Sequence, residues 1–221
     1  EDNTGPDAPA FLNDRSFIKS GISCETPTLK VKLFDENGIN TVGNGIGHDI
    51  KMTLDNNTPE AIVLNEFYQS ELNSYQRGVI EYPIEELEEG PHTLKVKAWD
   101  VYNNSGEGEI NFTVHRSEDL TLSHVLNYPN PFTTHTDFFF EHNYPGQNLE
   151  VRLQVFTVSG KLVKTIDGFY NSQGFRVGPI PWNGFDDYGD RLATGVYVFK
   201  LRVTAPNDKS EEVFEKLVIL N

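Results

Sequence analysis

The sequence predicts an all-β chain that folds as two antiparallel β-sandwiches in tandem. Apolar and polar residues alternate with a period of two along most of its length, turn residues recur between these runs, and only one stretch has helix-like spacing. Residues Thr28–Phe34 set Leu29, Val31 and Leu33 against Lys30 and Lys32, and 92–100 repeat the scheme with Leu94, Val96 and Ala98 against Lys95 and Lys97. Ile110, Phe112 and Val114 follow in 109–114, and the runs 149–156 and 195–203 alternate likewise. Such alternation buries one face of a strand and wets the other, as antiparallel sheets require. Turn signals separate the runs at Asn37-Gly38, 88–92, 158–161 and Asn183-Gly184. The helix-like stretch, 59–74, reads as a strand followed by a loop. Short strands with regular turns make Ig-like sandwiches.

The 221 residues carry 33 acidic and 18 basic side chains, a formal net charge of −15. A surface of that sign repels phosphate, so neither nucleic acid nor anionic lipid is an expected partner. No apolar run has the length to cross a bilayer, so no direct membrane insertion is expected. The opening EDNTGPDAPAF does not read as a signal peptide and looks like a cut inside a longer protein. The charge is uneven: 1–117 hold 20 acids and 9 bases, and 118–221 hold 13 acids and 9 bases. The second half repels itself less and is the expected place for a tight contact.

The domain boundary falls between Val114, where a strand ends, and Leu126-Asn127-Tyr128-Pro129-Asn130-Pro131-Phe132. The expected domains are 1–117 and 121–221. Each proline fixes its own φ and pushes the residue before it to an extended conformation. The segment therefore enters the second domain as a preset edge, with no ladder bonds from either proline. Tyr128 and Phe132 are expected to cover the bottom of the sandwich.

Chemistry-bearing residues are sparse. Cys24 has no second cysteine to pair with and lies beside Glu25, which favours an inert thiol. The glycine-rich 43–49 precedes no helix, so a tight loop fits better than a phosphate cradle. Asp35-Glu36-Asn37-Gly38 and 185–190 place carboxylates together, but calcium takes six to eight oxygens, and solvated turns fit both clusters better. The six histidines, at 48, 92, 115, 124, 135 and 142, do not form a four-ligand zinc pattern. No cofactor is expected. Of Phe138-Phe139-Phe140, one ring lies on the face opposite the other two, so an aromatic contact surface around Phe139 competes with a purely structural role.

Four blocks occur in a fixed order: LNYPNPF, then VFTVSGKLVKTI (155–166), then PWNGFDDYGDRLATGVYVFKLRV (181–203), then FEKLVIL (214–220). This order, covering 122–221, resembles the C-terminal sorting domain of type IX secretion cargo in Bacteroidetes and, more distantly, the Ig-like domain of flagellar hook-capping proteins. KLFDENGINTVGNGIGHDIKMTLD (32–55) and GPHTLKVKAWDVYNNSGEGEINF (90–112) look like the region preceding that domain in PorU-type sortases, a family of gingipain-like cysteine peptidases. The resemblance implies that this chain is a non-catalytic end of such a sortase. The catalytic Cys and His would lie upstream in a caspase-like domain, and no catalytic residue is carried over to this chain. It also implies export through the periplasm to the cell surface, recognition by the type IX translocon, and docking on an outer-membrane β-barrel of the PorV type.

The closing run 211–221 is too apolar to float free. It is expected either as a central strand or as an extended tail handed to a partner, a mode in which main-chain bonds give affinity and side-chain pockets give specificity. The resemblance favours the tail, with Lys216, Leu217, Val218, Ile219 and Leu220 as the recognised residues. Lys200 and Arg202, on the outward face of their strand, would supply a charged complement. The rival reading is a carbohydrate-binding or adhesin module pair of a secreted enzyme, which calls for a flat row of exposed aromatics.

Overall fold

A computed structural model describes residues 3–17, 20–42, 47–116 and 119–220. The chain divides into two compact units, Glu1–Val114 and His115–Asn221. The first contains β1 (Ala10–Leu12), β2 (Gly21–Ser23), β3 (Thr28–Phe34), β4 (Lys51–Leu54), β5 (Ile62–Val63), β6 (Tyr68–Ser70), β7 (Arg77–Pro83), β8 (Gly90–Trp99) and β9 (Ser105–Val114). They form one sheet in the order β1-β3-β7-β6 and a second in the order β2-β9-β8-β4-β5. All pairs are antiparallel except β2 beside β9. The inward residues are those that the alternation marks: Leu29, Val31 and Leu33 from one sheet, and Leu94, Val96, Ala98, Ile110 and Phe112 from the other, are all buried. Three of the outward lysines meet acids on neighbouring strands, Lys30 with Glu81 at 3.1 Å, Lys95 with Glu109 at 3.4 Å and Lys97 with Glu107 at 3.3 Å. Exposed pairs of this kind stabilise weakly and mainly keep the outer face in register.

Two local features explain sequence patterns. Gly106 and Gly108 lie under Pro6 and Ala8, whose backbone carbonyls occupy the space a Cβ would need. The glycines let the amino-terminal stretch run directly over β9. The helix-like 59–74 contains two single 3-10 turns, Thr58–Glu60 and Asn65–Phe67, with β5 between them and β6 after. The expected single strand is thus two short ones. Asn65 fixes the break: its side chain accepts from Ile50 N–H at 3.0 Å and donates to the Thr41 carbonyl at 2.9 Å. Of the glycine-rich loop, 43–46 lie outside the described residues, and His48 beyond it packs its ring 4.3 Å from that of Trp99. Asp35 accepts from the N–H groups of Asn37 and Gly38, so its carboxylate builds the turn it sits in. Cys24 is buried, and desolvation pushes its thiol pKa up against a partly opposing hydrogen bond from Thr26.

The second unit contains β10 (Leu122–Tyr128), β11 (Thr136–His142), β12 (Asn148–Thr157), β13 (Leu162–Asn171), β14 (Arg176–Trp182), β15 (Gly195–Thr204) and β16 (Ser210–Ile219). A three-stranded sheet, β10-β11-β14, faces a four-stranded sheet, β13-β12-β15-β16. Their shared core packs Phe138 edge-on against Phe199, with ring centroids 4.9 Å apart, and sets Trp182 between Phe132 and Phe138 at 5.7 Å and 6.1 Å. Trp182 satisfies its indole N–H on the Phe185 carbonyl at 3.0 Å. Phe139, on the opposite face from Phe138 and Phe140, is half-buried with the Arg176 guanidinium 4.7 Å over its ring.

His92 ties together two loops of the first unit. Its Nδ1 meets the Asp55 carboxylate at 2.7 Å and its Nε2 meets the Glu88 carbonyl at 2.8 Å, so the imidazolium can donate on both sides. Desolvation alone would lower its pKa, but the Glu88 and Asp55 hydrogen bonds outweigh it and the net shift is upward. A raised histidine contributes stability that is complete below its unfolded value, about 6.5, and is lost as pH rises through the folded value. The first unit should therefore lose stability as pH is raised from 6 to 8.5. Denaturant midpoints across this range should show that step in the native protein and none in His92→Gln.

The candidate docking strand

The residues assigned above to a partner all lie on β15, β16 and the residue that follows β16. That last strand pairs with β15 over its full ten residues, from Gly195 opposite Ile219 to Thr204 opposite Ser210. It is therefore an edge strand of the four-stranded sheet, and neither a central strand nor a free tail. Alternation then divides the candidate residues by face. Leu217 and Ile219 point inward and are 0% and 2% exposed, so the sandwich itself holds them and no partner can touch them while the domain is folded. This corrects the expectation that the whole segment 216–220 is a handle for a partner. Lys216 and Leu220 are exposed and Val218 is half-buried on the outer side, beside exposed Val196.

Lys200 and Arg202 lie on the outer face as expected, but each is engaged locally. Both reach the Glu212 carboxylate, at 3.4 Å and 3.6 Å. Such surface pairs contribute from nothing to about 1 kcal/mol, so another carboxylate can replace Glu212 at little cost. One register up, Leu162, Phe156 and Val198 lie across three strands from Lys216, and all three are exposed or half-buried. The outer face thus carries an apolar band beside a pair of cations.

The proline segment positions the other side of the final strand. Asn130 donates its Nδ2 to the Lys216 carbonyl at 3.0 Å and accepts from Val218 N–H at 3.0 Å. Phe132 continues the seal: its N–H donates to the Val218 carbonyl at 3.0 Å, and its carbonyl accepts from Leu220 N–H at 2.8 Å. The outward backbone groups of β16 are therefore satisfied by Asn130 and Phe132 just where the strand ends. The proline segment is itself fixed from beneath. Buried Asn127 donates to the Thr136 hydroxyl at 2.9 Å, and Thr136 donates to the Pro129 carbonyl at 2.8 Å. Arg191 holds the far side through the Thr133 carbonyl at 2.6 Å. Phe132 is buried as expected, whereas Tyr128 is 71% exposed, because only the residues beyond Pro129 turn under the sheet.

The opposite edge, β13, has a matching cap at the same end of the sheet. Asp187 donates its N–H to the Val163 carbonyl at 3.1 Å, accepts from Thr165 N–H at 3.1 Å, and pairs with Lys164 at 3.0 Å. The Lys164 contact holds its carboxyl below the ordinary range. Its neighbour Asp186 accepts from the N–H groups of Tyr188 and Asp190, closing the acidic turn on itself. Sequence reasoning missed Asn130 and Asp187 as edge caps. The available signal was an asparagine flanked by two residues that cannot donate, and an aspartate inside an acidic turn.

No protein-family model and no curated protein matches the chain. Among solved structures it is similar to dimeric latent PorU from Porphyromonas gingivalis, with 28% sequence identity and a TM-score of 0.51. The match covers 99% of this chain and 20% of that one, so the chain spans a fifth of PorU. Two weaker likenesses are the fibronectin(III)-like modules of Clostridium thermocellum CbhA, with 9% identity, a TM-score of 0.33 and coverage of 96% of this chain and 93% of that one, and the Yersinia pseudotuberculosis adhesin InvE, with 13% identity, a TM-score of 0.30 and coverage of 98% and 59%. Neither bears on function. Both units of this chain therefore follow part of PorU.

The two faces of β16 should respond differently to substitution. Leu217→Ala should destabilise the second unit by about 2–5 kcal/mol, as core truncations do, whereas Leu220→Ala should stay within about 0.5 kcal/mol; urea unfolding separates the two. Asn130→Ala should cost about 1 kcal/mol and should speed hydrogen exchange at the Val218 amide while leaving that of Leu201 unchanged, which NMR exchange reads directly.

Proposed function

We propose that this chain is the non-catalytic targeting and docking end of a type IX secretion sortase. It carries its parent peptidase to the cell surface and holds it on an outer-membrane β-barrel of the PorV type. The observation that carries the reading is the collinear match to PorU through both units at 28% identity. The chemistry of the chain agrees with it. The thiol of Cys24 is enclosed with its pKa raised, the opposite of what a nucleophile needs.

The barrel partner reads the folded domain rather than a loose tail. Lys216, Val218 and Leu220 are presented outward, Lys200 and Arg202 stand beside them, and Leu217 and Ile219 act from inside by holding the strand in register. Apolar side chains rimmed by exchangeable ion pairs suit a protein contact, where charge gives specificity and the apolar band gives affinity. A glycan-binding surface would instead need its aromatics aligned. The exposed Tyr128, Phe169 and Phe214 of this unit sit on β10, β13 and β16, and Phe185 and Tyr188 share the connection between β14 and β15.

Fusion of 115–221 to a periplasmic reporter in a type IX-competent bacterium should place the reporter on the surface, and the purified fragment should retain an outer-membrane barrel protein. Lys216→Glu with Leu220→Asp should abolish both while leaving the urea midpoint unchanged. Deleting 216–221 does not test the reading, because it also removes two core side chains. Surface display and barrel capture that survive the double substitution, or glycan binding without barrel capture, would overturn it.

A further inference from the structure

The first unit has a groove of about 300 Å³ between the turn that follows β4 and the loop that follows β7. Its floor is apolar, formed by Met52, Leu54, Tyr82, Ile84 and Leu87. Its rim carries four carboxylates, Asp55, Glu60, Glu85 and Glu86, and no lysine or arginine lines it. On the strand faces of the unit, by contrast, Glu81, Glu107 and Glu109 each have a lysine partner within 3.4 Å. Glu60 is engaged by Asn57 at 2.7 Å and Asp55 by His92, but Glu85 and Glu86 have no ion-pair partner among the described residues. The two lips are held at a set spacing, because His92 bridges Asp55 on one to Glu88 on the other. Along the rim runs β5, a two-residue edge strand with Ile62 and Val63 both exposed.

We propose that this groove binds an extended peptide segment carrying arginine or lysine between aliphatic residues. The alkyl stem of a long cationic side chain lies along the apolar floor while its head meets Glu85 and Glu86, the division of labour that such side chains adopt at mixed surfaces. The open edge of β5 supplies main-chain hydrogen bonds, which is how an extended peptide gains affinity at a sheet edge. Charge complementarity selects this occupant: a neutral apolar segment leaves Glu85 and Glu86 over it unpaired, and an acidic one is repelled. The inference is independent of the docking role of the second unit.

The test uses the whole 221-residue protein and a fluorescein-labelled peptide amide, Val-Arg-Leu-Lys-Val, with glutamine replacing Arg and Lys in a control. The basic peptide should bind at least about ten-fold more tightly than the control, and added salt should weaken it. Glu85→Gln with Glu86→Gln should weaken it by about five-fold or more, the scale of two partly exposed ion pairs. NMR shifts on titration should gather at Met52, Ile62, Tyr82 and Ile84. Equal binding of the control, indifference to the double substitution, or shifts centred elsewhere would overturn the proposal.

Discussion

An edge strand is a row of unpaired backbone donors and acceptors, and the second unit has two ten-residue edge strands in one sheet. How those edges are closed governs the behaviour of the unit. A long open edge invites pairing with any other strand, so folded proteins blunt or cover it. Here the covers are side chains from loops. Asn130 and Phe132 close the end of the last strand, and Asp187 closes the facing end of the other edge. Asparagine suits the first position because its amide mimics a peptide unit, one donor and one acceptor at strand spacing. Prolines on both sides of it leave no competing backbone donor.

The covered edge and the buried inner face change what recognition of this domain can mean. A strand whose Leu217 and Ile219 fill the core is not available to be threaded elsewhere without unfolding the sandwich, and burial of side chains that size makes the exchange costly. What remains on offer is a rigid surface: an apolar band over the ends of four strands, bordered by cations whose present partner is a single exposed glutamate. Rigid presentation lowers the ordering cost of binding, and so favours affinity from a modest area.

The first unit is organised around charge. Lys30, Lys95 and Lys97 on its strand faces meet acids across the ladder, and many of its remaining carboxylates lie on loops. There they either build turns, as Asp35 and Asp100 do with neighbouring N–H groups, or stand unpaired above apolar floor. His92, whose pKa the Glu88 and Asp55 hydrogen bonds raise against desolvation, reaches 37 residues along the sequence to the Asp55 carboxylate in this loop system.

The sequence by itself determined the regularly alternating strands and their faces. A period of two is a local property, and it named Leu29, Val31, Leu94, Val96, Ile110 and Phe112 as inward residues without reference to any neighbour. It also marked the proline segment as special and Cys24 as inert. Tertiary structure alone decided that the last strand is an edge, that two of its five singled-out residues belong to the interior, and that Asn130 and Asp187 are its caps and those of its counterpart. The reason is that a strand's place in a sheet, and the identity of what lies on its open side, depend on residues 86 to 88 positions away or 22 to 24 away, as in the contacts of Asn130 and Asp187. No local pattern encodes such separations; only the packed core fixes them.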